Sequence, residues 1–339
     1  MLTGKIEWDI MENRNLTMGG VYMQTKENVV TGCAQHILAQ VRQVVVGKDQ
    51  ALLWVLATIL ARGHILLEDI PGVGKTTMAV AFSKTLGLSY NRVQFTPDVL
   101  PSDVTGYSIP DQVTGQLKYQ PGAVLCNLFL ADELNRATSR TQSALLEAME
   151  EGQVTVDGVS HPIPKPFVVM ATQNPTGAAG TQLLPDSQMD RFAVRLSMGY
   201  PSPDDEVAMI MERRSGDPLD KLTPVMTRED LIAMQDTVAA TYMESSVVRY
   251  VVDLIDATRH HPDILRGASP RATLTMTALA KAIAQLQGRD YVTPSDVQTV
   301  FLTTIPHRLL LSPSAEAKEL TADQVLRSIL SAVPAPTLR

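Results

Sequence analysis

Residues 65–76 read Ile65-Leu66-Leu67-Glu68-Asp69-Ile70-Pro71-Gly72-Val73-Gly74-Lys75-Thr76. An apolar run (Ile65–Leu67) enters this stretch, and a helix-compatible run (Thr76–Leu86) leaves it. That order aims backbone N–H groups and a helix N-terminus at an anion. Pro71, Gly72, Val73 and Gly74 form the loop, and Lys75, Thr76 and Thr77 open the helix. In such a loop the lysine reaches β- and γ-phosphates and the Thr76 hydroxyl ligates Mg²⁺. The full Gly-x-x-x-x-Gly-Lys-[Ser/Thr] pattern asks for glycine where Asp69 stands. Gly-Lys-Thr alone is too short to decide, so its context must carry the reading.

Outward from the loop, apolar strand-like runs alternate with helical patterns from about 28 to 200, which predicts a largely parallel sheet with crossover helices. The strands are expected at Ile65–Leu67, Arg92–Phe95, Leu125–Ala131, Phe167–Ala171 and Ala193–Ser197. Two hairpins interrupt the alternation. Tyr107–Ile109 and Leu117–Tyr119 flank a turn-rich segment, and Gln153–Val156 and Val159–Ile163 flank Asp157-Gly158, a two-residue turn signal. Beyond Pro201–Pro203, the expected joint, the pattern becomes helical. Thr227-x-x-Asp230 reads as a capping box, and further helices are expected at about 245–260, 271–287, 294–304 and 321–332. Residues 1–27 are polar and irregular and read as a flexible arm. The expected divisions are therefore 1–27 (arm), 28–200 (core) and 201–339 (helical lid).

The 339 residues include 45% hydrophobic ones and carry a net charge of −7. That is ample for a core, and it argues against a nucleic-acid groove as the dominant surface. Ala51–Ala61, closed by Asp49 and Arg62, reads as a buried helix rather than a membrane span. Charges at Lys5, Glu7, Asp9, Glu12 and Arg14 leave no apolar core for a signal peptide, so a cytoplasmic location is expected. Cys33 and Cys126 lack metal spacing and read as reduced thiols. His260-His261, being adjacent, cannot share a helix face and read as structural. Met209–Met211 reads as core packing.

Leu128-Phe-Leu-Ala-Asp132-Glu133 is an apolar strand ending in two acids. The first carboxylate at such an edge can hold Mg²⁺ through its water, and the second can orient or deprotonate an attacking water. Phe167–Ala171 runs into Thr172-Gln173-Asn174, and an amide there can bond both the water and a γ-phosphate. Arg191, in Asp190-Arg191-Phe192, and Arg271, in Ser269-Pro270-Arg271, are candidates for transition-state charge.

Leu67–Thr76, Ala131-Asp-Glu-Leu-Asn-Arg136, Thr141–Glu151, Ala171-Thr-Gln-Asn-Pro175 and Leu184–Phe192, in this order, resemble the MoxR family of AAA+ ATPases, in the helix-2-insert clade. The resemblance covers about 28–320. It implies a three-layer αβα P-loop core with a parallel sheet, followed by an all-α lid. It makes Lys75 and Thr76 the Walker A pair, Asp132 and Glu133 the Walker B pair and Asn174 sensor 1. Arg191 resembles the arginine finger, with Arg136 and Arg140 as rivals, and Arg271 resembles sensor 2, serving either its own or a neighbouring subunit. Val46-Gly47 stands where adenine rests. The family writes its loop as Glu-Asp-x-Pro-Gly, which accommodates Asp69. The resemblance further implies ATP and Mg²⁺ as cofactors and a homo-oligomeric, hexameric ring. It implies chaperone-like action on a client protein or enzyme, and a partner with a von Willebrand A domain.

Two other motor roles share the clade: a metal-chelatase subunit and a nucleic-acid motor. The second hairpin holds no Lys or Arg between Gln153 and Pro164, which counts against tracking a phosphate backbone. No Asn-Lys-x-Asp guanine motif is present. The intact Lys75, Asp132, Glu133 and Asn174 set argues against a scaffold that binds nucleotide without hydrolysing it.

Overall fold

The computed structural model describes residues 29–70, 72–112, 115–174, 184–213 and 216–337. The arm expected over 1–27 lies outside them, as do Pro71 and Pro175.

Helices α1 (Val29–Arg42) and α2 (Asp49–Leu60) come first. Every residue of α2 from Ala51 to Leu60 is buried, as an apolar surface on all sides requires. Strand β1 (Ile65–Glu68) passes through the glycine loop into α3 (Lys75–Thr85). Then follow β2 (Tyr90–Gln94), the short α4 (Pro101–Thr105) and the first hairpin, β3 (Gly106–Pro110) with β4 (Leu117–Pro121). Next come β5 (Leu128–Asp132), α5 (Ser139–Glu151) and the second hairpin, β6 (Gln153–Val156) with β7 (Val159–Pro162). Strand β8 (Val168–Gln173), α6 (Asp186–Met189) and β9 (Val194–Leu196) complete the core.

Five strands form one sheet in the order β2-β5-β8-β1-β9, with every pairing parallel. Strands β5 and β8 are buried along their whole length, as both faces of a parallel sheet are covered by helices. One apolar cluster unites α1, α2, α3 and the lid on one face; a second unites α4 and α5 on the other. All five expected strands are present with shifted ends. Strand β2 spans Tyr90–Gln94 rather than Arg92–Phe95, β5 begins at Leu128 rather than Leu125, and β8 continues to Gln173. Backbone pairing sets these ends: Tyr90 lies opposite Leu128, Gln94 opposite Asp132 and Glu68 opposite Gln173.

Both hairpins form as expected, the second turning at Asp157 (φ 50°) and Gly158 (φ 78°), the positive φ pair that a tight hairpin turn requires. Tyr107, Ile109 and Leu117 of the first hairpin are exposed. The ring of Tyr119 stacks on His161 of the second, with centroids 3.6 Å apart, so the two hairpins are joined.

The lid comprises α7 (Pro203–Arg213), α8 (Arg228–Ala239), α9 (Ser245–His260), α10 (Pro270–Leu286), α11 (Pro294–Thr304), α12 (Pro313–Ala317) and α13 (Ala322–Ala332). Thr227 and Asp230 form the anticipated capping box. A two-stranded ribbon, β10 (Ile264–Arg266) with β11 (Leu310–Leu311), adds to the helices. Helix α10 packs on α2, so the lid shares the core of the first two helices. The Met209–Met211 expectation is corrected: Ile210 is 65% and Met211 54% exposed, so these two face outward, while Met209 lines a cavity. Cys33 and Cys126 are free thiols. His260 bonds the Asp256 carbonyl and His261 the Ser328 hydroxyl. No group of three or more metal-ligating side chains occurs among the described residues, and no helix there is long and apolar enough to cross a membrane.

His64, just before β1, carries a pH dependence. Its Nδ1 accepts the Val169 N–H (3.0 Å) and its Nε2 reaches the Met149 carbonyl (3.2 Å), so the ring must be neutral with its proton on Nε2. Burial lowers its pKa from 6.5 to about 4. A proton on Nδ1 would face a donor, and the unfolded chain takes up that proton more readily. The stabilisation from His64 is therefore complete above pH 6.5 and is lost progressively as pH falls toward 4. Between pH 7.5 and 5 the wild type should lose more melting temperature than His64→Gln does. Equal losses would remove His64 as the titrating group.

Candidate active site

The C-terminal ends of the sheet strands converge where open α/β sheets bind ligands. The loop after β1 turns at Gly72 (φ 88°) and Gly74 (φ 95°), and a Cβ on either would meet nothing within 4 Å. The backbone here takes a conformation side chains rarely adopt, and its inner face is open. Lys75 Nζ donates to the carbonyls of Asp69 (2.7 Å) and Ile70 (3.2 Å). Burial lowers the Lys75 pKa; the carboxylates of Asp69, Asp132 and Glu133 act against that. The ammonium is thus held ready on the loop's own backbone. Thr76 and Thr77 follow it in the first turn of α3.

Asp132 ends β5. Its Oδ2 accepts from Arg92 (2.7 Å), and its Oδ1 accepts the Thr172 hydroxyl (2.7 Å). That hydroxyl in turn accepts the Glu133 N–H (2.8 Å). Glu133 has φ 55°, an uncommon conformation for a residue with a side chain, of the kind that clusters at functional sites. The threonine bond, made to the Glu133 backbone N–H, helps hold it there. Glu133 Oε2 accepts from Arg136 (2.7 Å). Asn174 follows β8, and its carbonyl accepts from Asn135 (3.4 Å). Gln173 donates to Glu68 (2.9 Å), while its own Oε1 is buried without a partner.

Lys75, Thr76, Thr77, Asp132, Glu133 and Asn174 line one polar cleft of about 360 Å³ together with Gly72 and Gly74. A second cavity of about 320 Å³ shares Gly72, Gly74 and Thr77; its wall is mostly apolar, with Val44–Val46, Val73, Met209 and Leu219, and carries Lys48 and Asp217 at its polar side. Val46 lines this cavity and Gly47 does not; a Cβ on Gly47 would fall 2.1 Å from Asp205. An apolar slot joined through a glycine loop to a polar cleft suits a nucleotide: base in the slot, phosphates against the amides and Lys75. The open glycine backbone, with nothing within 4 Å of a Cβ on Gly72 or Gly74, fits a ligand rich in hydrogen-bond-accepting oxygens.

Arg191 and Arg271 do not line this cleft. They converge on Glu150 at the end of α5: Arg191 Nε donates to its Oε2 (3.0 Å) and Arg271 to its Oε1. Asp190 joins them from behind, accepting from Arg308 (2.9 Å) and from Ser269 (2.8 Å), the N-cap of α10. Buried Arg308 also binds the carbonyls of Phe192 (2.8 Å) and Ala193 (3.2 Å). The lid thereby sets the backbone that carries Arg191. Arg140 is exposed in the first turn of α5. Sequence reading missed Arg92, Glu150, Thr172 and Arg308. An arginine in the edge strand β2 gave a weak signal; the other three acquire their roles only by contact.

A family model for the ATPase family associated with various cellular activities (AAA) matches residues 64–194, and one for the AAA lid domain matches 256–329. The chain is 46% identical over 318 residues to YeaC of Bacillus subtilis, covering 94% of this chain and 98% of that one. It is 38% identical over 311 residues to Chaperone MoxR1 of Mycobacterium tuberculosis, covering 89% and 82%. A crystal structure from Cytophaga hutchinsonii superposes with a TM-score of 0.84 at 35% identity, covering 91% of this chain and 96% of that one. The core and lid matches extend along most of the chain, which belongs to the MoxR family of AAA+ ATPases and is an ATP hydrolase.

Proposed function

We propose that this ATPase works as a Mg²⁺-dependent ring, a hexamer, in which each hydrolytic site is completed by the neighbouring subunit. The cycle remodels or matures a client protein in the cytoplasm, with a von Willebrand A partner as one candidate client-bearing protein. The observation that carries this reading is the pairing of Arg191 and Arg271 on Glu150, away from their own chain's cleft. Two guanidiniums gathered on one carboxylate make a site for a single anion. A neighbour's γ-phosphate, more negative than Glu150, would take that place.

In this reading Gly72–Gly74 amides and Lys75 bind the triphosphate, and the Val44–Val46 wall receives the base. Thr76 and Asp132 would hold Mg²⁺, the latter through water, and Asp132 would give up its Arg92 contact for that role. When bound, the ion neutralises charge on the β- and γ-phosphate oxygens. Asn174 positions the attacking water and Glu133 accepts its proton. The water oxygen bonds to the γ-phosphorus as the β–γ bridging bond breaks, and the electron pair leaves with ADP. Holding Mg²⁺ with few protein ligands fits a cation that keeps waters and phosphate oxygens in its shell.

The client surface in this reading is the first hairpin, where exposed Tyr107, Ile109 and Leu117 favour protein contact. Specific ATPase activity should therefore rise with protein concentration in step with assembly, measured by sedimentation. Single-stranded DNA should leave the rate unchanged. Strong, salt-sensitive stimulation by DNA would move the assignment to a nucleic-acid motor, and concentration-independent activity of a monomer would remove the ring.

A further inference from the structure

Asp69 occupies the position where the common phosphate-loop pattern has glycine, and its side chain does something a glycine could not. It is only 5% exposed. A carboxylate so enclosed is costly unless its oxygens are filled, and here they are. Oδ1 accepts the Ser197 hydroxyl (2.7 Å) and the Gly199 N–H (3.1 Å); Oδ2 accepts the Met198 N–H (2.6 Å). All three donors belong to the segment that leaves β9 for the lid. Lys48 holds the same segment from its other side, donating to the carbonyls of Gly199 (3.1 Å) and Tyr200 (2.8 Å). The next residue, Pro201, and Met209 beyond it line the apolar slot opposite Gly72–Gly74.

The backbone of Asp69 faces the other way. Its carbonyl accepts from Lys75 Nζ at 2.7 Å. One residue therefore holds the phosphate-facing lysine through its main chain and the lid entry through its side chain. When Lys75 turns to phosphate oxygens it releases that carbonyl. The loop then adjusts while the carboxylate keeps its three bonds, and residues 197–201 must follow.

We propose that Asp69 is a positioning residue that couples occupancy of the phosphate loop to the placement of the lid entry and of the slot wall at Pro201 and Met209. Asp69 touches no phosphate in this account; it acts through residues 197–201. Removing it should loosen the slot and weaken nucleotide binding while leaving Lys75 and Glu133 chemically competent.

The test uses the full chain with Asp69→Gly, which restores the common pattern, and Ser197→Ala, which deletes one donor outside the loop. Fluorescent ADP binding, steady-state hydrolysis and hydrogen exchange are measured on each. Hydrogen bonds to charged groups of this kind correspond to losses of about tenfold or more when broken. Asp69→Gly should raise the ADP Kd and the ATP KM by about that factor, with kcat changed far less. Nucleotide-dependent protection of the 198–200 and 207–211 amides should be lost with it. Ser197→Ala should shift the same quantities in the same direction by a smaller factor, and the double variant should be no worse than Asp69→Gly. A purely structural aspartate would instead lower the melting temperature and the active fraction, leaving KM and the exchange response unchanged. Wild-type KM and exchange response in Asp69→Gly overturn the proposal. If Asp69→Gly does not fold, an unchanged KM and exchange response in Ser197→Ala overturn it equally.

Discussion

Glu133→Gln is expected to bind Mg²⁺-ATP nearly as well as the wild type and to hydrolyse it about 10²–10⁴-fold more slowly, the usual contribution of a positioned general base. The amide keeps the size and the Arg136 contact of the side chain but cannot accept the proton of the water. The φ of 55° and the Thr172 bond that aim this residue belong to the backbone, so the substitution leaves the aim intact. Lys75→Ala is expected to fail one step earlier. It removes the ammonium proposed to bind the phosphates, and nucleotide affinity should drop about 10- to 100-fold, the worth of a charge-assisted hydrogen bond. Equilibrium binding and single-turnover hydrolysis separate the two. Wild-type turnover by Glu133→Gln would take the water-activating role away from Glu133.

Arg191→Ala is expected to bind ATP, assemble and turn over about 10³-fold more slowly, within the range known for arginines supplied to a transferring phosphoryl group. Mixed with Glu133→Gln subunits it should regain part of the lost rate. A mixed interface pairs an intact arginine from one chain with an intact Glu133 from the other, which neither homogeneous ring contains. Arg271 and Glu150 are free of this complementation only if they serve their own chain. Normal turnover by Arg191→Ala without rescue would pass the role to Arg136 or Arg140. Arg136 sits on Glu133 itself, 2.7 Å away, so its loss would disturb the base of its own site and show no rescue by mixing.

Much of this was legible along the chain because the signals were local. A glycine loop between an apolar run and a helix needs no distant contact to be recognised, and neither does an apolar strand that ends in Asp132-Glu133. The Asp157-Gly158 turn and the Thr227 capping box are likewise properties of a few adjacent residues. Met209–Met211 misled for the same reason: apolar composition announces a buried face, but which face of α7 is covered depends on helices far away in sequence. The strand ends also drifted, because Tyr90 and Gln173 join the sheet through partners, not through their own hydropathy.

The amino-acid sequence by itself determined the class of fold, the glycine loop that opens into α3 at Lys75 and Thr76, and the strand ending in Asp132-Glu133, since each rests on residues at short spacing. Only the tertiary structure decided how they are wired. Parallel register set Asp132 beside Thr172, and the threonine hydroxyl then set Glu133. Chain crossing brought Arg191 and Arg271 to Glu150, and it brought residues 197–199 to Asp69 from 128 to 130 positions away. Contacts across such separations depend on where the sheet and lid place each backbone, and no local pattern encodes that.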